Sequence, residues 1–236
     1  MMGTQSKGAP QTLSAVGLSK QLGRRIILDK VSLQGVAGEM VVLRGENGAG
    51  KSTLLRILAG ILEPDAGQVT LCGEVLGCGG VAARRHLGYV PDSTEQLPEL
   101  LVAEFINLNR ALKSAPPPAP ALVEQLGVTP ILLQRLSTLS FGQRKRCCLL
   151  AALLGDPFLL LLDEPSNGLD PDGVQLLLTL LAERSARGLL TVCSTNDDRF
   201  AAALAGTEYR LAAGVLQRLT ALDMRTLTAE KEAPSA

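Results

Sequence analysis

Gly45-Glu-Asn-Gly-Ala-Gly-Lys51-Ser52 follows the short apolar run Met40-Val-Val-Leu-Arg44 and opens a segment with apolar residues at Leu54, Leu55, Ile57, Leu58 and Ile61. The spacing predicts an amphipathic helix over Ser52 to Leu62, reached from a buried strand through a glycine loop. The octet fits G-x-x-x-x-G-K-[ST] in the strand, loop and helix context that gives this motif its meaning. Gly45, Gly48 and Gly50 let the chain bend so that successive N–H groups point inward, where they and the helix N-terminus present partial positive charge to phosphates. Lys51 adds a full charge at the β- and γ-phosphates, and the Ser52 hydroxyl offers an oxygen to Mg²⁺. The candidate phosphate-binding set is therefore Gly45, Glu46, Asn47, Gly48, Ala49, Gly50, Lys51, Ser52 and Thr53. A glycine-rich turn before an ordinary helix has the same composition, and only the flanking pattern separates the two.

Such a site needs a carboxylate for Mg²⁺ on a neighbouring strand. Phe158-Leu-Leu-Leu-Leu162 has the continuous apolarity of a strand covered on both faces, and Asp163-Glu164 stands at its C-terminal end. Asp163 is the metal-side candidate. Glu164, one residue on, is placed to orient or deprotonate a water that attacks the terminal phosphate. An acidic cap at a strand end is the plainer alternative for this pair.

Outward from these motifs, Leu13–Leu18 and Ile26 through Leu33 read as two antiparallel strands about the Gly23-Arg-Arg turn, Val69–Cys72 as a further strand, and Leu87–Pro91 as another. From Ser93 to Leu139 the pattern becomes helical, with Leu97, Leu100, Leu101, Phe105, Ile106 and Leu108 as core or groove candidates. Pro116-Pro-Pro-Ala-Pro120 interrupts it, either as a stiff linker or as a protein-recognition ligand. A helix follows Gly142 to about Leu154, another covers Gly173 to Ala186, and Leu189–Cys193 is a buried strand. Strands alternating with helices argue an α/β fold with a mostly parallel sheet.

The 236 residues carry 23 basic and 23 acidic side chains, so no overall field draws the chain to nucleic acid, and with aromatics at 3% a base-stacking platform would be thin. No nucleic-acid partner is expected. Charged residues, at 19%, fall below the usual value of about 25%, which leaves apolar surface for a protein partner. Neither a signal segment nor a spanning helix is recognised, so a cytoplasmic protein is expected, reaching a membrane only through a partner. Cys72, Cys78, Cys147, Cys148 and Cys193 form no C-x-x-C pair and read as reduced, buried small hydrophobes, while the single histidine, His86, completes no zinc set.

Leu139-Ser-Phe-Gly-Gln143 resembles the signature sequence of ATP-binding cassette (ABC) ATPases, and Asp163-Glu-Pro-Ser-Asn-Gly168-Leu-Asp170 resembles their Walker B and D-loop run. In isolation the first of these is only a helix cap. From about Leu13 to Gln217 the order follows the cassette pattern. The resemblance implies a P-loop NTPase with a RecA-like core, an antiparallel β subdomain and a helical subdomain inserted at about 93–148, the whole spanning 12–225 between flexible termini at 1–11 and 226–236. It further implies ATP and Mg²⁺ as ligands, a head-to-tail pairing with a second ABC ATPase subunit, and a membrane-spanning transporter partner. In that pairing Ser140, Gly142 and Gln143 would face the partner's ATP, and Asp170 would shape the seam.

The resemblance breaks at four positions. Phe141 replaces the first glycine of Leu-Ser-Gly-Gly-Gln. Leu22 stands where cassettes commonly place an aromatic that stacks on adenine, giving packing with less stacking energy. Asp92 stands where the family places a glutamine near Mg²⁺ and the water, and it is a candidate catalytic group and metal ligand. Asn196, in Ser194-Thr-Asn-Asp197, occupies the position of the switch histidine; it can donate a hydrogen bond to a γ-phosphate but carries no charge and shuttles no proton. Firm ATP binding with slow turnover is the expectation. The leading function is the ATP-hydrolysing subunit of an ABC transporter, mildly favouring an exporter. The alternatives are a degenerate regulatory cassette and a non-transport ABC ATPase.

Overall fold

The computed structural model describes residues 12–77, 81–93 and 97–220. Strands β1 (Thr12–Leu22) and β2 (Arg25–Val36) pair antiparallel about the Gly23-Arg24 turn, and β4 (Ala66–Leu71) and β5 (Glu74–Leu76) complete a four-stranded sheet in the order β2-β1-β4-β5. This is the expected antiparallel layer. The run expected from Ile26 through Leu33 forms within the single strand β2, whose pairing with β1 contains register shifts and left-handed Lys30.

The larger sheet has the order β10-β9-β3-β8-β7-β6, from β3 (Met40–Arg44), β6 (Leu87–Val90), β7 (Leu159–Asp163), β8 (Leu190–Ser194), β9 (Thr207–Ala212) and β10 (Val215–Arg218). Five strands run parallel and only edge strand β10 is antiparallel. Met40–Leu43, Leu159–Asp163 and Leu190–Ser194 are buried throughout, as strands covered on both faces must be. The small elements β5, α2 (Val81–Arg84), α7 (Asp198–Leu204) and the β9–β10 hairpin were not anticipated, because each is too short to show a period.

Helix α1 (Lys51–Leu58) is shorter than its apolar spacing predicts. Gly60, at φ +65°, ends it, and Ile61 is exposed at 58% instead of lying on the buried face. The helical insert contains α3 (Val102–Lys113), α4 (Pro120–Gln125) and α5 (Phe141–Leu153). Phe105 and Ile106 are core, whereas Leu97, Leu112 and Leu133 are exposed. Pro116, Pro117 and Pro118 lie in the connection between α3 and α4, and Pro120 is the first residue of α4. Helix α6 (Pro171–Ala186) follows β7 and packs beside β8 and α7.

Cys147 and Cys193 are buried, but Cys72 and Cys148 are only half-buried, and these four are free thiols. Cys78 and the two termini lie outside the described residues. Among the described residues no helix is long and apolar enough to cross a membrane.

Candidate functional site

The C-terminal ends of β3, β7 and β8 meet at one edge of the parallel sheet, where open α/β sheets place their ligands. β3 delivers the glycine loop there. Gly45 has φ +151° and Gly50 φ +107°; a Cβ would lie 2.5 Å from the Leu211 carbonyl oxygen at the first and 2.8 Å from Ile27 Cγ2 at the second. Both positions therefore need glycine for conformation and for space. Gly50 provides no side-chain cap to α1, which leaves the first-turn amides of Lys51, Ser52 and Thr53 available to an anion.

Lys51 is 6% exposed, and its ammonium is held from several directions. Nζ donates to the carbonyls of Gly45 at 2.6 Å and Glu46 at 3.3 Å, donates to Asn196 Oδ1 at 2.7 Å, and lies 3.5 Å from Glu164 Oε1. Asn196 in turn donates through Nδ2 to Asn47 Oδ1 at 2.5 Å and through its backbone N–H to Glu164 Oε2 at 3.0 Å. The loop, the exit of β7 and the exit of β8 thus converge on one buried charge.

Asp163 ends β7 in register with Ser194 of β8, whose hydroxyl donates to Asp163 Oδ1 at 2.6 Å. The Glu164 amide donates to the carbonyl and hydroxyl oxygens of the same serine, each at 3.1 Å. Glu164 takes φ +44°, a left-handed conformation unusual outside glycine, as the chain leaves the strand. Its Oε1 is buried and accepts no hydrogen bond, with only the Lys51 charge to compensate it.

Asp92, just past β6, contacts a different group of residues: its Oδ1 lies 3.7 Å from Lys145 Nζ and 3.4 Å from Asn167 Nδ2. Lys145, on α5, is 3% exposed and also donates to the Glu164 carbonyl at 2.9 Å. Burial lowers its pKa, and the neighbouring carboxylate of Asp92 opposes that shift.

Ser140 caps α5 in a reciprocal box, accepting from the Gln143 amide at 3.2 Å while its own amide donates to Gln143 Oε1 at 2.9 Å. Gly142 packs on the loop after Glu164; a Cβ there would lie 2.9 Å from the Gly168 carbonyl. Asp170 caps α6 through the Gly173 amide at 2.9 Å and pairs with Arg146 at 3.0 Å. These residues lie on α5 and the 166–170 loop, apart from the Lys51 cluster. Leu22, 48% exposed, ends β1 in register with Arg25.

Sequence reasoning missed Arg25, Ser194, Lys145 and Asn167. Arg25 Nη2 donates to the Gly48 carbonyl at 3.1 Å, which fixes the hairpin to the glycine loop. The signal for Ser194 was the parallel pairing of two apolar runs, which would have set it opposite Asp163. For Lys145 and Asn167 no local pattern was available.

The profile of the ABC transporter family matches residues 28–167. A Nod factor export ATP-binding protein I of Bradyrhizobium diazoefficiens is 34% identical over 189 residues, covering 78% of this chain and 62% of that protein. An uncharacterized ABC transporter ATP-binding protein of Bacillus subtilis is 35% identical over 171 residues, covering 71% of this chain and 55% of that protein. The chain thus spans a little over half the length of such curated relatives. Among solved structures, an ATP-binding subunit of an ABC transporter superposes with a TM-score of 0.84 at 28% identity, covering 94% of this chain and 95% of its own. A dimeric ATP-binding cassette in a post-hydrolysis state with ADP and Pi superposes with a TM-score of 0.74 at 25% identity, over 88% and 99% of the two chains. With the family profile matching more than half of its length and the cassette fold covering nearly all of it, the chain belongs to the ABC transporter family.

Proposed function

We propose that this chain binds Mg²⁺·ATP and hydrolyses it slowly, as the ATP-binding subunit that energises a separate membrane-spanning exporter subunit from the cytoplasmic face. The observation that carries this reading is the buried Lys51 ammonium at the head of an uncapped helix, with Glu164 and Asn196 beside it. The glycine cradle and first-turn amides suit phosphate oxygens, and the acceptors now on Lys51 are ones that a phosphate can replace.

Ser52 and Asp163 are the hard oxygen donors that would hold Mg²⁺, with Asp163 fixed by Ser194. When bound, the ion supplies charge neutralisation at the phosphates. Glu164 has an oxygen, Oε1, with no hydrogen-bond donor, which suits it to orient the attacking water and take its proton. Asn196 holds a hydrogen-bonding position against Lys51 but adds no positive charge, and this supports slow turnover. Ser140, Gly142, Gln143 and Asp170 would serve a second cassette in a sandwich dimer. Leu22 and Arg25, side by side at the hairpin end beside the loop, are placed to border the base.

Export is the reading favoured by the Nod factor export relatives. The test is the steady-state Mg²⁺-ATPase rate against protein concentration, for the chain and for Glu164→Gln. A rate that depends on Glu164 and rises faster than linearly supports a working homodimer. Firm ATP binding without such a rate moves the reading to a regulatory cassette that needs a competent partner. Absence of ATP binding overturns both.

A further inference from the structure

Lys145 is a fully buried cation outside the nucleotide loop, and its surroundings are made of three separate segments. Besides the Glu164 carbonyl at 2.9 Å, its Nζ approaches the carbonyls of Asp163 and Asp92, each at 3.5 Å, and the Asp92 carboxylate at 3.7 Å. The Phe141 ring lies beneath it, 5.5 Å from ring centroid to nitrogen. The polar contacts of Nζ are thus carbonyl oxygens and one carboxylate, that of half-exposed Asp92, the one side-chain carboxylate paired with it among the described residues. A cation buried to this degree is costly when its counter-charge is removed.

We infer that Asp92 and Lys145 form a positioning pair that locks the exit of β6 and the first turns of α5 onto the Asp163–Glu164 backbone. In this chain Asp92 is thereby the counter-charge of Lys145 instead of a direct Mg²⁺ ligand. The pair gives an acidic residue at position 92 a role: glutamine there would remove the one carboxylate within ion-pair distance of the ammonium, leaving carbonyl dipoles, the Phe141 ring and the more distant charges of Asp163 and Glu164. Asn167, which donates to the same Asp92 oxygen at 3.4 Å, extends the lock to the loop before α6. Movement of the helical insert would then act on the backbone that aims Glu164, with neither Asp92 nor Lys145 touching substrate. This inference rests on the nucleotide reading above.

The experiment compares the full chain with Asp92→Asn, Lys145→Gln and the double variant. The readouts are thermal midpoint, Mg²⁺ dependence of binding of a fluorescent ATP analogue, and ATPase kcat and KM. The expected thermal result is strongly non-additive, with the double variant no less stable than the weaker single variant. In Asp92→Asn the Mg²⁺ concentration for half-maximal binding stays within about twofold of wild type, and in Lys145→Gln kcat falls about 10–100-fold with KM little changed, as for residues that orient a catalytic group from behind. Additive thermal shifts, or a requirement for Mg²⁺ raised about tenfold or more by Asp92→Asn, would overturn the pair. If the wild-type chain binds no nucleotide, the functional reading falls while the thermal cycle still decides whether the two charges are coupled.

Discussion

Gly168→Ala tests the contact between the signature helix and the loop that follows Glu164. Gly168 has φ +73°, and a Cβ there would lie 2.1 Å from Phe141 Cδ1 and 2.6 Å from Cε1. Left-handed backbone costs an alanine about 1–2 kcal/mol, and forcing an aromatic ring aside costs about 1–3 kcal/mol more. The sum, about 3 kcal/mol, corresponds to a thermal midpoint lowered by about 6–12 °C in a chain of this size. Phe141→Ala removes the ring, so in that background only the backbone cost of about 1–2 kcal/mol remains. Differential scanning fluorimetry or urea titration of the four proteins measures the difference directly. An equal loss in both backgrounds would refute the reasoning. It would mean that Phe141, 38% exposed, turns into solvent at no cost and that its presence in Leu139-Ser-Phe-Gly-Gln143 does not bind the two segments together.

Asp170→Ala should lower stability by about 1 kcal/mol through loss of the α6 cap, with little more from the exposed Arg146 pair, and chemical denaturation checks it; an unchanged midpoint would deny the cap any weight. Asn196→His should raise a Glu164-dependent turnover about 10²-fold or more and give it a pH dependence near neutrality, and a rate unchanged both in this variant and in its combination with Asn47→Ala would mean that position 196 does not limit hydrolysis. Lys113, which donates to the Ala151 and Ala152 carbonyls at the end of α5, has its pKa pushed down to about 8 by burial. The unfolded chain therefore binds more protons above that value, and stability should rise between about pH 8 and 10.5 by about 3 kcal/mol relative to Lys113→Met. Parallel pH profiles for the two proteins would contradict that burial cost.

The layers of the fold were legible because the central parallel strands β3, β7 and β8 are continuous apolar runs and α5 begins at a recognisable cap, Ser140, whereas the cap Asp170 that opens α6 was read only as part of the seam. The glycine loop was legible because its chemistry is local: conformation, helix terminus and lysine lie in one octet. What could not be read was long-range pairing. Nothing in the neighbourhood of Lys145 announces that Asp92 will reach it, since those residues meet only after the helical insert folds back on β6. Likewise Arg25 joins Gly48 across a hairpin whose register is set by bulges, and periodicity does not carry that information. The end of α1 was overestimated for a different reason: Ile61 continues the apolar spacing, but Gly60 overrules it locally.

Three of the departures from the family pattern share a feature that bears on how they act. Leu22 is accompanied by Arg25 on the glycine loop, Asp92 by Lys145, and Asn196 by Asn47 and Lys51. Each replaced side chain thus sits within or beside a contact that its usual counterpart would not complete in the same way. A glutamine at 92 would leave Lys145 without its carboxylate. A histidine at 196 has two ring nitrogens in place of an amide that accepts from Lys51 and donates to Asn47 at once, and a protonated imidazole would face the Lys51 ammonium. Restoring a single family residue therefore removes a native contact as it adds a new one, and its net effect on rate mixes the two. Asn196→His is read cleanly only beside Asn47→Ala and the combined variant, because Asn47 Oδ1 loses its donor in the single change. A gain in turnover larger in the combined variant than in Asn196→His alone is the outcome this arrangement requires; equal gains would mean the Asn47 contact places no constraint on position 196.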